Sequence, residues 1–276
     1  MAKCIFCKQK SENFKSVEHI IPESLGNIDH VLPKGIVCDS CNNYFATKIE
    51  KPLLDQPYFK NIRFRNIIQT KKGRLVPDKA FLMHSKGGWV DMWLDDKGFI
   101  FRDEDFEKTK LIANGECTSL IIPTISDPEK GDIKISRFLA KAALESLTYK
   151  FINSRGWIDE IVEKKELDPL REYARFGKGN FWKYSQRRIY SEEDRFADPI
   201  HHPEPYEILH EMDFLYIENK ILYYALVIMG IEYVINLGEN EIDHYENWLK
   251  ENNGTSPIRR FSEHMIKRKN DSYEQL

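Results

Sequence analysis

Hydrophobic periodicity is clearest over residues 135–151. Phe138, Leu139, Ala142, Ala143 and Leu147 recur at helical spacing, while Lys134, Arg137, Lys141 and Glu145 fall mostly on the other faces, which predicts an amphipathic helix. Residues 157–166 and 170–176 read as two shorter helices broken by Asp168-Pro169. From about Gly73 the pattern is that of strands. Residues 79–83 and 89–94 flank Lys86-Gly87-Gly88 as a hairpin, Asp95-Asp96-Lys97-Gly98 turns into 99–101, and a further strand over 118–122 stops at Pro123. The last third returns to strands at 181–190, 208–217 and 222–237, with Glu218-Asn219-Lys220 as a turn. The near-continuous apolar run of the last of these implies one or two central buried strands. Residues 243–250 form a short helix, and 259–276 read as a polar tail.

The first fifty residues follow neither period. Their order comes from two C-x2-C pairs, Cys4/Cys7 and Cys38/Cys41. Four thiolates in two such pairs suit a closed tetrahedral zinc site, because each two-residue gap lets a turn aim both sulfurs at one ion. A segment this short buries too little apolar surface to fold without a metal or disulfides. Met1-Ala2-Lys3 leaves no room for an apolar leader, so zinc and a cytoplasmic setting are expected rather than two disulfides. Inside the loop, Phe14-Lys15-Ser16-Val17 is strand-like and delivers Glu18 and His19, and Ile20-Ile21-Pro22 closes it. Gly35-Ile36-Val37 is a candidate returning strand, and Asp39 or Ser40 caps a helix through about Glu50 with Asn42 in its first turn. A second acid-histidine pair, Asp29-His30, lies in a Gly/Pro-marked loop.

The combination of C-x2-C, Glu18-His19-Ile20-Ile21-Pro22 and Cys38-x2-Cys41-Asn42 resembles the HNH endonucleases of the ββα-metal group. The resemblance covers roughly residues 4–55. It implies that Glu18 and Asn42 hold a catalytic Mg2+ or Mn2+, that His19 is the general base, and that Cys4, Cys7, Cys38 and Cys41 hold structural zinc. It also implies a nucleic-acid substrate, DNA in the first instance, and a setting such as restriction or anti-phage defence. Two departures are Glu18, where many members have Asp, and Ala46, close to where relatives often have Gly. Asn43 is the alternative amide ligand.

Charge sharpens this picture. The formal net charge of −3 conceals a split: residues 1–75 hold 13 Lys+Arg against 7 Asp+Glu, and residues 76–276 hold 28 against 37. A nuclease is basic where phosphates dock. Lys48, Lys51, Lys60, Arg63 and Arg65 are the candidate nucleic-acid contacts, with Tyr58, Phe59 and Phe64 interleaved either as stacking platforms or as core. The acidic remainder points to a homodimer, a protein partner or a small-ligand sensor. The longest uncharged apolar run, 221–231, is too short for a membrane span. Cys117 reads as a buried thiol, His201-His202 as a loop, and Arg171, Tyr173 and Arg175 as a solvated helix face.

The expected fold is α+β: a zinc-stapled ββα-metal module (1–55), a basic connecting helix (56–75), a larger mixed domain with antiparallel sheet (76–256) and the tail (257–276). The rival from another class is a zinc-ribbon module that binds nucleic acid or protein without cutting.

Overall fold

The computed structural model describes residues 3–10, 15–104, 106–198, 202–217, 221–258 and 265–267. In chain order the elements are β1 (Glu18–His19), β2 (Val31–Leu32), α1 (Asp39–Phe45), α2 (Lys51–Leu54), α3 (Pro57–Arg65), β3 (Asp78–Leu82), β4 (Gly88–Asp95), β5 (Gly98–Arg102), α4 (Glu107–Ala113), β6 (Leu120–Ile121), α5 (Ile133–Lys150), α6 (Arg155–Glu163) and α7 (Asp168–Phe176). They continue as β7 (Tyr184–Arg188), β8 (Arg195–Asp198), β9 (His202–Tyr206), β10 (His210–Ile217), β11 (Ile221–Ile228), β12 (Ile231–Asn236), α8 (Asp243–Glu251) and β13 (Met265–Lys267). This is an α+β protein with antiparallel sheets. Among the described residues, no helix is long and apolar enough to cross a membrane.

Packing groups the chain into two compact units that are discontinuous in sequence, whereas the sequence reading divides it into consecutive stretches. The first unit comprises Met1–Ile20, His30–Ile49 and Glu129–Leu276; the second comprises Ile21–Asp29 and Glu50–Pro128. The thiol pairs therefore fold in one unit with the long helix α5 and the C-terminal sheets.

In the first unit α5 is the organising element. Asp132 caps it, its carboxylate accepting from the Lys134 and Ile135 amides. Phe138, Leu139, Ala142 and Ala143 are buried as their spacing predicts, but Ser136, Lys141, Glu145, Ser146 and Thr148 are buried too. The placing of Lys141 and Glu145 away from the core is thus corrected. α5 packs against β2, α7 and β12, so nearly every face of it is an interior face. The main sheet runs β10-β11-β12-β7, antiparallel throughout. The apolar run over 222–237, expected to supply one or two buried strands, forms two, β11 and β12, both buried along most of their length. They are joined by Met229-Gly230 with φ of 47° and 84°, a two-residue turn that matches strand twist. A Cβ at Gly230 would lie 2.4 Å from the Tyr190 carbonyl oxygen, so glycine is required there. A three-stranded sheet, β13-β8-β9, includes Met265–Lys267 from the expected polar tail. The rest of that tail from 259 onward, the expected turn at 218–220, His201 and Phe14 lie outside the described residues.

The second unit is built on the sheet β5-β4-β3-β6, whose inner positions Ala80, Leu82, Val90 and Met92 pack with Phe64, Leu111 and Cys117. The β3–β4 hairpin forms where the alternation predicts it, with Phe81 opposite Trp89.

Candidate functional site

The hairpin that carries Glu18 and His19 is short. Glu18 pairs with Leu32 and His19 with Val31. The returning strand is therefore Val31–Leu32 and not the expected Gly35-Ile36-Val37. Pro33 has no amide to continue the ladder, and Gly35 adopts φ 101°, which turns the chain toward the thiols. The Ile36 carbonyl still serves as an acceptor, for the Ile5 amide 3.1 Å away. Asp39, the first residue of α1, anchors the approach to β1: its Oδ1 accepts from the Lys15 and Ser16 amides at 3.0 Å and from the Ser16 hydroxyl at 2.6 Å. Those bonds hold its carboxyl below the ordinary value, the Ser16 hydroxyl contributing most.

The four sulfurs meet as predicted. All lie within 4.8 Å of one another, none is in a disulfide, and Cys7 Sγ is 3.8 Å from Cys38 Sγ. Tetrahedral zinc with sulfur at ~2.3 Å requires a sulfur–sulfur separation of about 3.8 Å, so the cluster fits the ion. The Cys38 amide donates to Cys4 Sγ at 3.4 Å, as expected where a sulfur carries negative charge. A hydrogen bond from Cys41 lowers Cys4 to about 5, and the same bond raises Cys41. Burial raises Cys7 to about 11. Four sulfurs this close can all be thiolates only around a cation.

Asn42 lies in α1 directly after Cys41. Its Nδ2 donates to the Val17 carbonyl at 2.8 Å, one residue before Glu18. That bond orients the amide and leaves Oδ1 as the end that can serve as a hard oxygen donor. Glu18 is 4 % exposed, and its Oε1 lies 2.7 Å from the Nζ of the fully buried Lys141. Lys141 also contacts Glu145 Oε2 at 3.0 Å and donates to the His19 carbonyl at 3.0 Å. Successive strand residues project to opposite faces: Glu18 faces the ammonium, and His19 is half-buried on the other side. His30 of the second acid-histidine pair packs edge-on to Tyr149, 6.2 Å between centroids.

In the second unit Asn27, 2 % exposed, closes the loop after the pair. Its Nδ2 donates to the Ile21 carbonyl at 2.7 Å, and its Oδ1 accepts from the Asp29 amide at 3.2 Å. Sequence reading missed this asparagine, although Gly26-Asn27 is a turn signal.

The basic residues divide into two kinds. Lys48, Lys51 and Lys60 are exposed. Arg63 is 6 % exposed, and burial lowers its pKa. Arg65 is half-buried, with Nε on Asn61 Oδ1 at 3.0 Å and Nη2 on the Ile125 carbonyl at 3.1 Å. Tyr58, Phe59 and Phe64 are buried, so these aromatics are core and not a stacking platform. Arg171, expected on a solvated face, is 2 % exposed. Its guanidinium donates to the carbonyls of Ile5 (2.7 Å), Lys164 (2.9 Å) and Ile161, and to Asp168 (2.7 Å). It thus ties the first thiol turn to the helices α6 and α7. Tyr173 is buried as well.

Residues 4–58 match the family model described as HNH endonuclease. No curated protein and no solved structure matches the chain significantly.

Proposed function

Because residues 4–58 form an HNH endonuclease domain, we propose that this protein is a metal-dependent nuclease that hydrolyses phosphodiester bonds of DNA. The observation that carries the reading is the convergence of a zinc-compatible thiol cluster, the Glu18-His19 strand and the Asn42 amide on one hairpin and helix, with Asn42 bonded to the residue preceding Glu18. In this reading Cys4, Cys7, Cys38 and Cys41 hold structural zinc, and Glu18 with Asn42 Oδ1 holds Mg2+ or Mn2+, hard cations suited to a carboxylate and an amide oxygen. When bound, that ion stabilises negative charge on the phosphoryl and leaving oxygens.

The chain's own residues supply the rest. His19, the more accessible of the acid-histidine pair, takes the proton of the attacking water as general base. Val17 holds the Asn42 amide so that its oxygen and not its nitrogen is offered to the ion. Of the five candidate contacts, Lys48, Lys51 and Lys60 are exposed and available to the phosphate backbone. One such site cuts one strand per visit, so double-strand cleavage by this protein calls for a homodimer or a second encounter.

The test is nicking of supercoiled plasmid by zinc-replete protein in Mg2+ or Mn2+. Wild type should nick, and His19→Ala should lose about 10²–10⁴-fold in rate while still binding DNA. A second reading, a zinc module that binds nucleic acid or protein without cutting, is favoured by one observation: Glu18 already faces an ammonium. Equal nicking by wild type and His19→Ala, or DNA binding with no nicking by wild type, decides for it.

A further inference from the structure

Two arginines are buried among the described residues, and they differ in what their guanidinium groups meet. Arg171 donates to the carbonyls of Ile5, Lys164 and Ile161 and to Asp168. Arg63, in the last turn of α3, is 6 % exposed, yet its guanidinium makes no hydrogen bond and no ion pair among the described residues. We propose that Arg63 is the centre of a phosphate-binding site on α3 and that its ligand is the backbone of a nucleic acid; the choice of ligand rests on the nuclease reading above.

A guanidinium carries five N–H donors in a planar fork and does not discharge in proteins. Burying it without acceptors is costly, so an arginine that serves structure alone is given them. Arg171 has its four, and Arg65, two residues along the same helix, has Asn61 Oδ1 and the Ile125 carbonyl. At Arg63 the fold supplies none. Asp55 acts on it electrostatically, but that carboxylate is exposed and forms no ion pair with it. A cation in the last helical turn does complement the macrodipole, but an exposed side chain does so equally well, so the dipole does not account for the burial.

The Nε of Arg63 is enclosed, which leaves the terminal nitrogens as the edge that can meet a ligand. Two such N–H groups grip two oxygens of one phosphate side by side. Lys60 lies three residues earlier, on the same side of the helix, exposed and without an ion pair among the described residues. The recessed fork orients the phosphate, and the surface ammonium adds charge beside it.

The experiment uses the full-length, zinc-loaded chain. Binding of labelled duplex DNA is followed by fluorescence anisotropy across a salt series without Mg2+ or Mn2+, and melting is followed in inorganic phosphate against chloride at equal ionic strength. Arg63→Met should bind DNA about 10-fold more weakly, with the slope of log K against log salt smaller in magnitude by about 0.9, as for one lost phosphate contact. Phosphate should raise the wild-type melting temperature above its value in chloride and should leave that of Arg63→Met unmoved. Arg63→Lys keeps the charge without the fork and carries the test if Arg63→Met fails to fold; it too should bind DNA more weakly and lose the phosphate response. Folded variants with wild-type DNA affinity and phosphate response overturn the inference and leave the nuclease reading intact. A phosphate response lost while DNA affinity is unchanged assigns the site to a free phosphate compound and overturns the nucleic-acid ligand. Wild type that fails to nick plasmid, with DNA affinity still dependent on Arg63, overturns the nuclease reading and not this site.

Discussion

The hairpin that bears Glu18 and His19 is held from two sides by opposite kinds of chemistry. On one side four sulfurs gather from two turns, within 4.8 Å of one another, and are stable together only around a cation. On the other, a cation built into α5, Lys141, gathers two carboxylates and a backbone carbonyl. In the proposed reading the thiols import their positive charge from solution, whereas the ammonium carries its own. The first side therefore depends on metal supply and is exchangeable. The second depends on the long-range packing of α5 against β2 and is as permanent as the fold.

The largest effect should come from the thiol side. Structural zinc contributes on the order of 10–16 kcal/mol of apparent folding energy in small peptides, and sulfur cannot be replaced there by an apolar group. Cys41→Ser, or removal of zinc by a chelator, should abolish zinc content and unfold the thiol turns of the first unit. Because Arg171 joins Ile5 to α6 and α7, the melt of the first unit as a whole should also drop. Metal analysis and circular dichroism of the variant check both outcomes, and unchanged zinc would break the comparison at once.

On the ammonium side the effect should be smaller and partly reversible by a second substitution. Lys141→Ala leaves Glu18 and Glu145 buried without their shared cation, a loss of about 3–5 kcal/mol in urea unfolding. Lys141→Met combined with Glu145→Met removes one of the two carboxylates with the cation and should recover only part of that loss, because Glu18 stays buried without this ammonium.

These two sides also differ in what a sequence discloses. Cys4/Cys7 and Cys38/Cys41 announce themselves because a two-residue gap is itself the geometry, and Glu18-His19 and Asn42 stand out beside them. Lys141 has no such signal. Its helix was legible from Phe138, Leu139, Ala142 and Ala143, but helical period separates faces only when one face meets water, and α5 is covered nearly all round. Tyr58, Phe59 and Phe64 were ambiguous for a related reason: an aromatic between cations looks the same in sequence whether it stacks on a base or packs a core, and here it packs a core. The returning strand slipped from 35–37 to Val31–Leu32 because hydrophobicity marks both segments, while Pro33 decides where the ladder can run. The Met229-Gly230 hairpin escaped notice because Met-Gly lacks the usual Asn-Gly signature.

The smallest expected effect lies at the surface beside the first thiol turn, where it is tied to α7. Asp168 is desolvated, yet hydrogen bonds from Lys8 and Arg171 outweigh that and hold its carboxyl below the ordinary range. Lys8 Nζ lies 2.5 Å from Asp168 Oδ1, beside the first thiol turn. A depressed folded-state pKa means that the stabilisation is complete above the unfolded-state value and is lost as pH falls through the folded one. Since the Asp168 side chain is 44 % exposed, solvent screening limits the term to under about 1 kcal/mol. Asp168→Asn should therefore be slightly less stable than wild type at pH 7, with the urea midpoints converging below the ordinary carboxylate range. A difference that grows on acidification would contradict the assignment.

The central claim is that one sulfur-bound ion and one oxygen-bound ion share this hairpin. It is tested most directly by anomalous-difference maps from Mn2+-soaked crystals, recorded on both sides of the zinc absorption edge. The account predicts a zinc peak among Cys4, Cys7, Cys38 and Cys41 and a separate manganese peak touching Glu18 and Asn42 Oδ1. A zinc peak alone, or manganese bound away from Glu18, would contradict it.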